Sequence, residues 1–281
     1  MTNTTVVLGG TGKTGRRVAR LLAERDLPVR VASRSSEHRF DWYDESTWAP
    51  VLEGADRMYV APPMDPDGAA RAELAVKAAA ASGVRHAVLL SGRGTGSPGR
   101  EFDVYQAGAS LEAVLRDSGM SWSIVRPAWF MQNFSEDFLL DGVLAGELRA
   151  PVGDGAEAFI DADDIAEVVV ETLVQTDKHA GQAYALSGPR TLTLAQAAAE
   201  ISAASGRPVR FEHVESEQYQ AELVQYGLPA EAAKGLADLF TVVRRGLSDY
   251  VSDGVQQVLG RAPRDFSDYV RATAATGVWT S

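Results

Sequence analysis

Seven residues carry the clearest chemical signal in the chain. The apolar run Val6-Val7-Leu8 leads into Gly9-Gly10-Thr11-Gly12-Lys13-Thr14-Gly15, and a helical pattern through Val18, Leu21 and Leu22 follows. Gly10, Gly12 and Gly15 satisfy G-x-G-x-x-G, and Gly9, Gly12 and Gly15 satisfy G-x-x-G-x-x-G. Between a strand and a helix, such glycines permit a tight turn, let backbone approach a pyrophosphate and let helix and strand pack closely. The helix N-terminus then faces the anion. The chemistry is dinucleotide binding, with Thr11, Lys13 and Thr14 near phosphate. A triphosphate-binding P-loop is excluded, because the glycine it needs five residues before Gly12 is Val7, inside the strand.

The next strand, Val29–Ala32, runs into Ser33-Arg34. An acidic residue here would bind the ribose hydroxyls of NAD. Arginine and serine stand there instead, and Arg34 with Ser33 suits a 2′-phosphate. The expectation is NADP(H) rather than NAD(H).

A Tyr-x-x-x-Lys pair, in which lysine lowers the phenol pKa for proton donation, is absent. The residues four places before Lys13, Lys77, Lys178 and Lys234 are Gly9, Glu73, Val174 and Ala230. Ser91, at the end of an expected strand, and Tyr105, at the start of an expected helix with Ala109 at its partner position, are the remaining catalytic candidates. Ser91 reads equally as a strand-end serine bonded to local backbone.

The elements that must position these residues alternate. Strands are expected at Thr4–Leu8, Val29–Ala32, Arg57–Ala61, His86–Leu90 and Trp122–Val125, with helices at Lys13–Asp26, Ala69–Ala81 and Tyr105–Arg116 between them. Such alternation predicts a Rossmann-type, doubly wound parallel α/β sheet. Beyond Pro127 we expect a helix over Asn133–Leu140, a loop over Leu148–Gly155 and a strand at Ala158–Ile160. A helix at Asp163–Val174, a strand at Gln182–Leu186 and a helix at Thr193–Ala204, capped by Thr191 or Thr193, follow. Val209–Val214 reads as strand and the remainder as mostly helix. The predicted organisation is an NADP-binding domain over 1–155, a stretch 156–187 returning to its sheet, and a smaller, mostly helical substrate or lid subdomain over 188–281.

Composition bounds the rest. The chain has 281 residues, with 27 Lys and Arg against 38 Asp and Glu, a formal charge of −11. That balance disfavours a sequence-independent nucleic-acid binder. There are no cysteines, which removes disulfides, thiolate metal sites and cysteine nucleophiles. The four histidines, His38, His86, His179 and His213, match no metal-ligand spacing, and no metal is expected. No apolar run of spanning length and no signal-peptide pattern occurs, so the expected location is cytoplasmic, without membrane contact.

Several segments together resemble the NmrA-like atypical short-chain dehydrogenases. They are Val7 to Arg16, Ser33-Arg34, Gly83-Val84-Arg85-His86 leading to Ser91, and Ile124-Val125-Arg126-Pro127 followed by Phe130-Met131-Gln132-Asn133-Phe134. Asp161–Ala166 and the late Gly260-Arg261-Ala262-Pro263-Arg264-Asp265-Phe266 also match. Phe40-Asp41-Trp42-Tyr43-Asp44 with Thr47-Trp48 is most similar to the ergot-alkaloid festuclavine and agroclavine dehydrogenase branch, with the azoreductase and quinone reductase branch as neighbour. The resemblance implies adenine contacts at Asp41 and Trp42, the indole reading equally as packing. It implies nicotinamide-side contacts at Ala61, Pro62, Pro63, Ser91 and Pro127. Trp129, Phe130, Met131, Asn133 and Phe134, at the C-terminal strand edges where open α/β sheets bind ligands, are candidate pocket walls, with core packing the reading for roughly half of such a cluster. It further implies an NADPH-dependent reductase of small planar or cationic acceptors, such as an iminium, quinone or azo compound of secondary metabolism. A hydride given to an iminium neutralises charge, which accounts for the missing dyad. A non-catalytic NADP(H)-sensing regulator is the alternative, and a cofactor-assisted isomerase or cyclase a third. The partner is a small-molecule substrate; monomer and homodimer both remain open.

Overall fold

The computed structural model describes residues 4–96 and 103–280. The chain divides into two compact units. The first takes Met1–Pro127, Ala162–Leu186 and Gly254–Arg261, and the second Ala128–Asp161, Ser187–Asp253 and Ala262–Ser281.

In the first unit, strands β1 (Thr5–Leu8), β2 (Val29–Ser33), β3 (His38–Arg39), β4 (Arg57–Val60), β5 (His86–Leu90) and β6 (Ser121–Pro127) alternate with helices. These are α1 (Lys13–Glu24), α2 (Trp48–Leu52), α3 (Gly68–Ala81) and α4 (Asp103–Arg116). The second unit supplies α5 (Asn133–Glu136), α6 (Leu140–Ala145), β7 (Glu147–Ala150) and β8 (Ala156–Glu157). The chain returns to the first unit with α7 (Ala162–Val174), α8 (Thr176–His179) and β9 (Gln182–Leu186). The second unit continues with β10 (Leu192–Thr193), α9 (Leu194–Ser205), β11 (Arg210–His213), α10 (Ser216–Gln225) and α11 (Ala230–Arg244). Helix α12 (Gly254–Leu259) belongs to the first unit and α13 (Phe266–Ala275) to the second.

The first unit is a seven-stranded sheet in the order β3-β2-β1-β4-β5-β6-β9. Every pairing in it is parallel. Side chains alternate across a strand, which splits the apolar runs between two faces. Val6, Leu8, Met58, Val60, Ala87, Leu89 and Ile124 pack with Trp48, Val51, Ala72, Val76, Leu111 and Leu115 of α2, α3 and α4. Tyr59 faces the other way and meets Thr14 of α1. The strand order reverses between β1 and β4, and open sheets of this kind bind ligands outside the carboxyl ends at that point.

Beyond Pro127 the structure departs from several expectations. Residues 128–161 belong to the second unit and 254–261 return to the first, so the expected boundary at 155 does not hold, while the one expected at 188 lies within a residue of the division after Leu186. The expected loop over Leu148–Gly155 contains β7, paired in parallel with β11. Leu148 and Ala150 are buried while Glu147 and Arg149 are not, a true strand alternation that Pro151, Gly153 and Gly155 obscure in the sequence. The expected strand at Ala158–Ile160 is replaced by β8, antiparallel to β10, with Ile160 making only a bridge to Phe130. The helix over Asn133–Leu140 breaks into α5 and α6. Thr193 caps α9, accepting from the Gln196 amide while the Gln196 side chain returns to the Thr193 amide.

Candidate functional site

The glycine turn closes as its spacing predicts. The Gly12 amide donates to the Gly9 carbonyl (2.9 Å) and the Gly10 amide to Ala32 (3.1 Å), tying β1 to β2 at the turn. Gly9 has φ +75°, a left-handed conformation that favours glycine. An added Cβ on Gly10 would lie 2.6 Å from Val31 Cγ1. At Gly12 it would meet only the Gly9 oxygen, at 3.2 Å. The protein's own packing therefore accounts for Gly9 and Gly10, while Gly12 is exposed and open to an approaching group. Gly12 is the N-cap of α1 without a side-chain cap, and no acidic residue sits in the first turn. The amides of that turn thus suit an anion. Thr11 is exposed and Lys13 half-buried beside them. Thr14, expected near phosphate, turns its side chain into the protein. It is buried, and its hydroxyl accepts from the Tyr59 hydroxyl at 2.9 Å. Burial pushes the Tyr59 phenol well above its ordinary value.

At the carboxyl ends of β2 and β3 the surface is basic and hydroxyl-rich. Ser33 Oγ is buried and accepts from the Ser35 amide (3.3 Å), while Ser36 Oγ donates to Ser33 and His38 carbonyls. These bonds fold the turn so that Arg34 is exposed at its tip. Arg39, which the sequence reading passed over, lies opposite Ser33 in the parallel ladder and is also exposed. Neither arginine has an ion-pair partner among the described residues. Asp41 accepts from the Tyr43 amide (3.0 Å), so its carboxylate holds a local turn. Trp42 packs edge-on against Phe40 at 4.8 Å between ring centroids. The Tyr43 phenol, pushed up to about 12 by its hydrogen bond to Asp65, links this turn to the loop after β4.

Ala61, Pro62 and Pro63 are half-buried after β4. Ala61 donates its amide to Leu8 (3.3 Å), and its carbonyl would lie 3.0 Å from a Cβ on Gly9. The segment therefore abuts the glycine turn across the strand-order reversal. A Cβ on Gly68 would lie 2.0 Å from the Pro63 carbonyl oxygen, so α3 starts directly behind it. Pro127 is buried in the end of β6, with its side chain covered by protein.

Ser91 and Tyr105 do come together, around the short turn Arg93–Gly96. An added Cβ on Gly94 would fall 2.1 Å from Tyr105 Cζ, so the ring lies flat over Gly94. Ser91 Oγ donates to Glu112 Oε1 at 2.7 Å. Glu112, on the same face of α4 as Tyr105 and Gly108, is buried. It also accepts from Arg126 Nε (2.8 Å), Arg126 Nη2 (2.5 Å) and Arg116 Nη2 (2.8 Å). Burial pushes the Glu112 carboxyl up, but the hydrogen bonds from Arg126 and Ser91 outweigh it and hold the group below the ordinary carboxylate range. Sequence reasoning missed Glu112. Its signal was the Tyr105-x-x-Gly108-x-x-x-Glu112 spacing on an expected helix.

In the second unit, Met131 and Phe134 are not pocket walls. Both are fully buried in a core with Phe159 and Phe266, because the chain turns inward where the Met131 amide bonds Ile160 (2.8 Å). Asn133 is buried as well. Trp129 and Phe130 remain half-buried. Trp129 packs on Phe240 (4.8 Å) and Phe138 (5.8 Å), and borders a small crevice of about 10 Å³ with Val152, Glu157, Phe159 and Leu192. Other motif residues are structural. Arg261 pairs with Asp164 (2.7 Å) and Glu167 (2.6 Å). Arg190 bridges Asp265 (2.7 Å) and Glu200 (2.7 Å). Among the described residues no three His, Asp or Glu side chains form a metal-binding group, and no helix is long and apolar enough to cross a membrane.

Comparison with known proteins finds relatives over nearly the whole chain. The chain is 34% identical to an NAD(P)H azoreductase of Xenophilus azovorans, over 96% of this chain and 98% of the relative. It is 32% identical to an agroclavine dehydrogenase of Claviceps fusiformis, over 95% and 96%. Among solved structures, a nucleoside-diphosphate-sugar epimerase of Staphylococcus aureus superimposes with a TM-score of 0.82 at 22% identity, covering 96% of this chain and 99% of its own. An Escherichia coli NADPH-dependent quinone oxidoreductase complexed with NADPH gives 0.77 at 23%, covering 95% and 99%. These structural likenesses speak for the fold. The sequence profile described as the NmrA-like family matches residues 1–270, and the chain belongs to the NmrA-like family.

Proposed function

We propose that the protein is an NADPH-dependent reductase that gives hydride to a small planar or cationic organic acceptor, such as an iminium, quinone or azo compound. The observation that carries this reading is Arg34, exposed at the end of β2 where an NAD site would hold an acid. The glycine turn and the first amides of α1 would hold the pyrophosphate, and Arg34 with Arg39 the 2′-phosphate. The bound nicotinamide supplies the hydride. The chain itself supplies no Tyr-x-x-x-Lys acid, since Ala109 stands at the lysine position and the Ser91 proton is committed to Glu112. Catalysis then rests on positioning, which suits acceptors that need no strong acid at the reacting atom. The relatives named as azoreductase and agroclavine dehydrogenase support this acceptor range.

The test is a panel of iminium, quinone, azo and ketone acceptors with NADPH and NADH, followed by the loss of reduced-nicotinamide absorbance. Turnover of at least one of the first three with NADPH is expected. Tight NADPH binding with no turnover across the panel would favour the regulatory, sensing reading.

A further inference from the structure

The contact between Ser91 and Glu112 decides more than the loss of a proton donor. An ionised carboxylate only accepts, so the single Ser91 proton lies on the 2.7 Å line to Glu112 Oε1. Thr95 Oγ1, 3.2 Å from Ser91 Oγ, is a second and more distant acceptor for the same proton, so the proton stays within the Glu112 and Thr95 pair. Ser91 is left as an acceptor toward anything else. The fold fixes this state firmly. Arg126 of β6 grips Glu112 with two nitrogens and Arg116 adds a third. The Ser91 amide bonds Val125 at 2.8 Å, which anchors the serine to the sheet. Gly108 lets α4 approach, since a Cβ there would lie 2.9 Å from Thr95 Oγ1.

Position says what the lone pair meets. In a doubly wound sheet the dinucleotide crosses the strand-order reversal between β1 and β4. Arg34 marks the adenosine side, beyond β2. Ser91 follows β5, three strand spacings or about 14 Å away on the other side. The nicotinamide ring itself carries one donor group, its carboxamide N–H₂, whereas the hydroxyls of the adjoining ribose are common to NADP⁺ and its ring-modified analogues. We propose that Glu112 is a positioning residue that orients the Ser91 hydroxyl as a hydrogen-bond acceptor for the nicotinamide carboxamide. This rests on the dinucleotide reading above.

The test compares NADP⁺ with its 3-acetylpyridine analogue, in which a methyl replaces the amide nitrogen, by calorimetry on the full chain. Ser91→Ala should weaken NADP⁺ binding about tenfold, the loss of one hydrogen bond. It should leave the analogue within about twofold, because nothing is lost there. Glu112→Gln should do the same. Its amide oxygen will face the two arginine donors, which turns the N–H₂ toward Ser91 and reverses that bond. The double variant should be no worse than either single, as two residues acting through one contact are non-additive. Thermal melts check folding. Should Glu112→Gln not fold, Glu112→Asp keeps the charge for both arginines while withdrawing the carboxylate from Ser91, and gives the same readout. Equal losses for NADP⁺ and the analogue, or additive losses in the double variant, would overturn the proposal. Failure of the wild type to bind either dinucleotide would instead overturn the dinucleotide reading on which it stands.

Discussion

A Cβ built on Gly15 would sit 2.2 Å from the carbonyl oxygen of Gly9, so α1 rests directly on the turn that follows β1. Gly12, three residues earlier, has no such neighbour on more than one side. The two glycines should therefore fail in different ways. Gly15→Ala must push helix and strand apart, and a lower melting temperature is expected whether or not cofactor is present. Gly12→Val should keep the circular dichroism and melting temperature of the wild type but lose NADPH binding, read by tryptophan quenching. Retained binding in Gly12→Val would make the turn purely structural.

Arg34 should set cofactor choice. A charge-assisted phosphate contact is worth about 1.5–3 kcal/mol, or roughly ten- to a hundredfold in affinity. Wild type should prefer NADPH over NADH by that factor, and Arg34→Ala should lose most of the preference while NADH affinity stays put. Arg39→Ala should lose a smaller part. Calorimetry with both cofactors decides it; equal affinities in the wild type would remove the basis for the assignment.

Tyr105 lies flat over Gly94 without a lysine four residues on. General acid catalysis contributes about 10²–10⁴-fold, and Tyr105→Phe should cost much less than that with an iminium or quinoid acceptor. A ketone acceptor losing about a thousandfold in Tyr105→Phe would mean that a tyrosine acid works here without its lysine.

Stability should fall on mild acidification. Burial pushes His86 down to about 4, with Nδ1 3.0 Å from Ser121 Oγ and with Asp56, Arg57 and His179 as its charged neighbours. Burial lowers His179 as well. The unfolded chain binds a proton at His86 near the ordinary histidine value, while the folded chain does not until about pH 4, and His179 shifts in the same direction. Their contribution is therefore complete above about pH 6.5 and shrinks as pH falls toward 4; for His86 alone it is on the order of 3 kcal/mol. Urea midpoints from pH 7.5 to 4.5 should show the decline, and His86→Gln should flatten it. An unchanged slope in that variant would assign the acid sensitivity elsewhere.

The sequence alone determined the main strands and helices of the first 127 residues, but not the short β3 and α2. Strand, glycine turn and helix are local events, and continuous apolar runs such as Val6-Val7-Leu8 identify strands that are buried on both faces. It also determined that Arg34 replaces an acid and that no Tyr-x-x-x-Lys pair exists, because both are matters of spacing. Tertiary structure decided the rest. Glu112, Ser91 and Arg126 lie on a helix and two strands, and only the parallel ladder of β5 and β6 beside α4 brings them to one point. Met131 and Phe134 read as candidate pocket walls in the sequence, yet burial is a property of what the chain folds against, and they joined a core. The pairing of Glu147–Ala150 with Arg210–His213 joins segments about sixty residues apart, where four alternating side chains are too short a signal to outweigh the glycines and proline that follow. Long-range closure, rather than local propensity, set the boundary between the two units and the polar surroundings of Ser91.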